Sequence, residues 1–132
     1  MRNMQKIDAN ICLRYLLDDH CELSPKAKEI IEQNTVEVPI EILCEVVYVL
    51  KDHYKIERQN TAATLKGFFE KTRCVLQYKE AVYKALDYFG NSNLDFADCL
   101  LAGYSEIEND EIFTFDNKLQ KLLDKIKQTS KQ

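Results

Sequence analysis

Apolar residues recur at helical spacing over most of this chain. In "KEAVYKALDYFG" (79–90) Val82, Leu86 and Phe89 fall three and four apart, one face of an amphipathic helix, and Gly90 stops it. "ERQNTAATLKGFFEK" (57–71) reads the same way, with Ala62, Leu65, Phe68 and Phe69 inside. "SPKAKEIIEQN" (24–34) carries Ser24 as N-cap, Pro25 at the first helical position and Ile30 and Ile31 on its inner face. The stretch "PIEILCEVVYVLKDHY" starts a helix at Pro39 that runs to about Asp52 or His53. It is apolar nearly all round, so burial on more than one side is expected. "NICLRYLL" (10–17) follows a short first strand at Lys6-Ile7-Asp8, with Asn10 as a natural cap. Short β-branched or buried runs, Val36–Val38, "RCVLQY" and "EIFTFD", supply further strands. "NLDFADCLLAGYSE" (93–106) and "NKLQKLLDKIK" (117–127) are the last helices, with a lysine-rich tail after Lys125 expected to fray. Strands alternating with helices predict a parallel sheet covered by helices.

Bulk properties narrow the class. At 132 residues the chain is expected to be one domain, 1–132, and three glycines with two prolines leave few breaks. A composition 45% hydrophobic and 30% charged supports a packed core. The net charge of −4 does not announce a nucleic-acid partner, although a local patch or a metal would override it. Five cysteines form an odd set without a C-x-x-C pair, as expected of reduced thiols in a cytoplasmic protein. No signal peptide is evident, and no run approaches the ~18 apolar residues of a membrane span.

The topology then gathers acids. In a parallel sheet, ligands bind at the carboxyl ends of the strands, where the crossover helices begin. Asp8 closes the first strand and Asp116 the last. The helix from Pro39 brings Glu41 and Glu45, and the helix of "NLDFADCLL" brings Asp95 and Asp98. Neighbouring carboxylates raise one another's pKa unless cations compensate, and the nearest base to these acids is Lys118. An all-oxygen set suits Mg²⁺ or Mn²⁺, which activate water and stabilise the leaving oxygen of a phosphodiester.

At these residues the sequence resembles a known family. "IDANICLRYL", "LCEVVYVL", "DFADCLLAGYSE" and "IFTFDNKLQKL" are similar, in order and spacing, to the four acidic motifs of PIN domains. The short form resembles VapC-type toxins of prokaryotic type II toxin–antitoxin modules. The resemblance implies a three-layer α/β/α fold with a mainly parallel central sheet, and a Mg²⁺- or Mn²⁺-dependent endoribonuclease cutting single-stranded or looped RNA. It carries the catalytic and metal-binding acids onto Asp8, Glu45, Asp98 and Asp116, Asp8 being the central ligand. Thr114 faces the same way as Asp116 along the strand and is a supporting residue. The resemblance also implies an RNA substrate, a homodimer, and a small cognate antitoxin laid along the apolar groove near the glutamate helix.

Plainer readings accompany these assignments. Asp8 also suits a helix cap, Glu41 a solvated first-turn acid, and Asn10 a cap before a site residue. Ser92-x-x-Asp95 has capping-box spacing, which makes Asp95 a cap first and a site residue second. Glu45 has no comfortable solvent-facing alternative in so apolar a helix. His20-Cys21 makes a poor chelate, His53 reads as surface, and Tyr48 and Tyr104 as core or interface. Arg14, Lys51, Lys55, Arg58 and Lys118 are candidate phosphate contacts with a solvated face as the default for each. The competing functions are a non-catalytic PIN-like interaction module, a PIN-type nuclease of RNA processing, and a flap-type DNA nuclease. The last needs long insertions for which 132 residues leave no room.

Overall fold

A computed structural model describes residues 4–130, and its chain falls into two compact units. The first comprises Met1–Ile56 and Ala63–Gln77, the second Glu57–Ala62 and Tyr78–Gln132.

The first unit is built on a small parallel sheet. Strand β1 (Gln5–Lys6) pairs with β2 (Val36–Glu37) in parallel, Gln5 opposite Val36 and Lys6 opposite Glu37. Val75 extends the sheet beyond β2 as a single parallel bridge to Glu37, fixed by Val75 N–H to Val36 O (2.7 Å) and Val38 N–H to Val75 O (2.9 Å). The parallel sense and the α/β class are as expected; the strand content is smaller. β1 ends at Lys6 instead of reaching Asp8, and "RCVLQY" contributes one bridge instead of a strand.

Helices α1 (Ala9–Leu17), α2 (Leu23–Gln33) and α3 (Ile40–Tyr48) close this unit, with the larger part of α4 (Arg58–Lys71). Leu43, Val46, Val47, Leu50, Leu65 and Phe68 are almost fully buried there. The ring of Phe68 meets those of Tyr15 and Phe69 edge-on. Helix α3 passes at Val49–His53 into a π-helical turn, so the helical path reaches the expected end in a wider winding. α2 starts one residue before Ser24, which displaces that serine from the cap. Its Oγ instead donates to Arg14 O (2.8 Å) and accepts from His20 N–H (3.1 Å). The orphan N–H groups of Glu22 and Leu23 are taken by His20 Nδ1 (3.2 and 2.9 Å). A histidine therefore does the work expected of the serine.

The second unit is helical: α5 (Lys79–Gly90), α6 (Phe96–Glu108) and α7 (Asn117–Ser130), with the first turn of α4. α5 and α6 pack so closely that a Cβ on Gly103 would lie 2.2 Å from the carbonyl oxygen of Ala81. Ala102 of α6 joins Leu119, Leu123 and Ile126 of α7 in a buried cluster. α6 ends at Asn109, in the left-handed region at φ 60°. The segment "EIFTFD" forms no strand. α7 holds its helix through Ser130, past the point where fraying was expected; Lys131 and Gln132 lie outside the described residues.

Candidate active site

In the first unit Asp8 sits directly after the buried Ile7, whose N–H bonds Glu37 O (3.2 Å) and ties the end of β1 to the sheet. Asp8 is the N-cap of α1. Its backbone is extended, and its Oδ1 accepts from Ile11 N–H at 3.0 Å. The cap is thus Asp8 and not Asn10, which lies inside the first turn with its side chain exposed. One carboxylate oxygen of Asp8 is engaged and the second remains for a ligand. Glu45 is exposed. The expectation that its helix offers no solvent-facing side fails: Leu43, Val46, Val47 and Leu50 turn inward, while Glu41, Glu45 and Tyr48 share an exposed stripe. Tyr48 is 65% exposed and is not a core residue.

In the second unit the acids are closer company. Asp95 occupies the N-cap position of α6, yet its side chain makes no capping bond. The capping box does not form, because Ser92 Oγ donates to Tyr88 O (2.6 Å) and accepts from Leu94 N–H (3.3 Å). Asp98 is half-buried in the first turn of α6. Its carboxyl is pushed above its ordinary 3.8 by partial burial first, then by the negative charges of Asp116 and Asp95. Asp116 caps α7 through Oδ1, which accepts from Leu119 N–H at 2.8 Å. Thr114 Oγ1 accepts from Asp116 N–H at 3.0 Å. The threonine therefore braces the loop entering α7 and holds Asp116 in place.

Arg58 is the residue whose role the sequence concealed. Its Nε donates to Phe89 O (2.8 Å) and its Nη2 to Leu94 O, and its guanidinium lies 3.8 Å over the Phe89 ring. It staples the turn that leads into Asp95 and α6, so it is not a free phosphate contact. Arg14 is similarly committed, to Asp19 (2.8 Å) and the Tyr54 hydroxyl (3.2 Å), and Lys51 pairs with Asp52 (3.1 Å). Lys55 and Lys118 stay exposed. No sequence signal linked Arg58 to carbonyls more than thirty residues away.

A half-buried carboxylate with two further aspartates adding negative charge is a donor set that a hard divalent cation stabilises. Asp95, Asp98 and Asp116 fit such an ion by chemistry, with only oxygen ligands. Among the described residues, no three His, Cys, Asp or Glu side chains stand in a metal-holding group.

A parallel α/β chain with aspartates at the starts of α1, α6 and α7 belongs to a recognisable class. The chain matches the PIN domain family over residues 7–125, and it belongs to that family. No curated protein and no solved structure matches it. PIN domains are nucleases that typically use divalent metals, so action on nucleic acid is the activity class of this chain. No helix among the described residues is long and apolar enough to cross a membrane.

Proposed function

We propose that this protein is a Mg²⁺- or Mn²⁺-dependent endoribonuclease, the VapC-like toxin of a type II toxin–antitoxin module. The observation that carries the metal dependence is Asp98, a half-buried acid pushed up first by its burial and then by the charges of Asp116 and Asp95. Such a cluster costs the free protein unless a cation relieves it. The proposed metal-holding set is Asp8, Glu45, Asp98 and Asp116, with Asp95, Thr114 and Asn10 in support. Asp95 moves towards a site role because its side chain caps nothing. A divalent ion bound there supplies an activated water and a counter-charge for the leaving oxygen.

The chain's own contribution is orientation. Ile11 N–H and Leu119 N–H each fix one oxygen of Asp8 and Asp116, which sets the direction of the other. Both caps sit at the starts of their helices, α1 and α7. For the toxin role, the support is the resemblance of the four motifs to the short VapC form. The exposed stripe of α3 around Tyr48 offers a contact surface for an antitoxin or a second copy.

The test is cleavage of a mixed RNA pool by the purified chain, with Mg²⁺ or Mn²⁺ and with EDTA. Metal-dependent cleavage is expected, lost in Asp98→Asn. Cleavage that persists in EDTA, or that Asp98→Asn leaves intact, overturns the mechanism.

A further inference from the structure

Two features of the second unit have no part in its packing. The first is the segment 111–115 between α6 and α7, which makes no backbone–backbone hydrogen bond among the described residues. Ile112 packs against the α6–α7 cluster and Thr114 is half-buried, so this side of the segment is anchored. The other side carries Phe113 and Phe115, which stand 87% and 106% exposed. The second feature is on α7. Lys118, Lys121 and Lys125 are exposed, three and four residues apart on one helical face, and none enters an ion pair among the described residues. Lys118 moreover lies in the first turn, where the helix dipole disfavours a cation.

Both features weaken the free protein. Bare aromatic rings leave apolar area in water, and an unpaired lysine in the first turn, Lys118, opposes the dipole. They are joined in the chain by Asp116, with the rings on one side and the lysines on the other. Flat rings beside a row of cations match one ligand chemistry well: unpaired bases that stack, on a backbone of phosphates. A duplex hides its base faces, so it gains nothing from the rings. An apolar partner helix would cover the rings but meet three desolvated lysines.

We propose that Phe113, Phe115 and the Lys118–Lys121–Lys125 face of α7 form a binding strip for single-stranded nucleic acid that delivers the strand to Asp116. The strip rests on the nuclease reading for its purpose, and what it adds is the surface that would hold the strand. Phe113 and Phe115 stack on successive bases, and the lysines follow the phosphates away from the acid.

The test is fluorescence anisotropy with the full chain in EDTA, where binding is read without cleavage. The probes are labelled mixed-sequence single-stranded RNA, single-stranded DNA and duplex RNA of equal length. Tighter binding of the single strands than of the duplex is expected. The double variant Phe113→Ala/Phe115→Ala weakens single-strand binding roughly 10- to 100-fold. Lys121→Ala/Lys125→Ala flattens the salt dependence by about 0.7 in log–log slope per lysine. Lys28→Ala removes one positive charge from α2 and changes neither. Because all four substituted strip residues are exposed, the variants keep the parent's circular dichroism and melting.

A phenylalanine double variant that binds like the parent overturns the strip. So does an equal loss in Lys28→Ala, or a variant whose one change is lost self-association. Cleavage assayed with Mg²⁺ separates the two ideas. A parent that binds through the strip but never cuts removes the nuclease and keeps the strip; a parent that cuts while the phenylalanine variant binds normally does the reverse.

Discussion

Asp8 and Asp98 are both aspartates at helix starts, and their surroundings treat them differently. Asp8 is exposed and satisfied: one oxygen accepts a backbone N–H, and the acid stabilises its own helix. Asp98 caps nothing. It is half-buried, and Asp116 and Asp95 add negative charge to the cost of its burial. The first arrangement serves the fold and leaves an oxygen to spare. The second works against the fold and makes sense when a cation is present. Cost to the free protein thus separates the two acids, where position at a helix start does not.

Substituting the two aspartates sharpens that contrast. Asp98→Asn is expected to lower RNA cleavage at least ~100-fold, as loss of an electrostatic stabiliser at a metal site does. It should also raise the melting temperature of the metal-free chain, because the like-charge repulsion disappears. A variant that loses activity and also melts lower would break the contrast, since Asp98 would then be structural. The mirror experiment is Asp8→Ala. It should lose cleavage to a similar extent but melt lower, by about 1 kcal/mol of cap energy. Asp8→Asn keeps the cap and should cost activity alone. Thermal melts in EDTA read both signs directly.

A smaller effect checks whether the second unit holds its acids by packing. Gly103→Ala puts a methyl 2.2 Å from the Ala81 carbonyl, so α5 and α6 must separate. Overpacking of this kind costs about 1–3 kcal/mol, measured by urea unfolding. An unchanged midpoint would show that the contact is looser than described.

The smallest effect is the pH dependence of Asp98. Its folded pKa lies above 3.8, so between that value and the raised one the native state holds a proton the unfolded chain has released. Stability of the metal-free protein therefore falls as pH rises through that interval and is regained on acidification. Unfolding free energies at stepped pH should show this slope in the parent against a flatter one in Asp98→Asn. Equal slopes would remove the like-charge argument.

Helices were legible because their signal is internal. Ala62, Leu65, Phe68 and Phe69 recur at helical spacing and all four are buried. "EIFTFD" alternates correctly too, with Ile112 and Thr114 turned in and both phenylalanines out. It still forms no strand, because a strand also needs a hydrogen-bonded neighbour, and no local pattern reveals one. Caps failed for a related reason. Ser24, Asn10 and the Ser92–Asp95 pair are all good capping residues, but a shift of one or two residues gave the job to His20 and Asp8, and left Asp95 bare. The acids of the candidate site were readable as motifs. The staple that presents them, Arg58 on Phe89 and Leu94, was not, since it joins distant carbonyls that carry no side-chain signature.

The five thiols differ in a way that matters to anyone wishing to watch this protein move. Cys12 and Cys99 are buried, their thiols pushed up to about 12 and about 11, and Cys44 and Cys74 are half-covered and raised as well. Cys21 alone is exposed, in the turn between α1 and α2. Thiolates, not thiols, attack alkylating reagents. A maleimide dye offered at neutral pH should therefore enter at one place, giving the unaltered chain a built-in attachment point for a spectroscopic reporter.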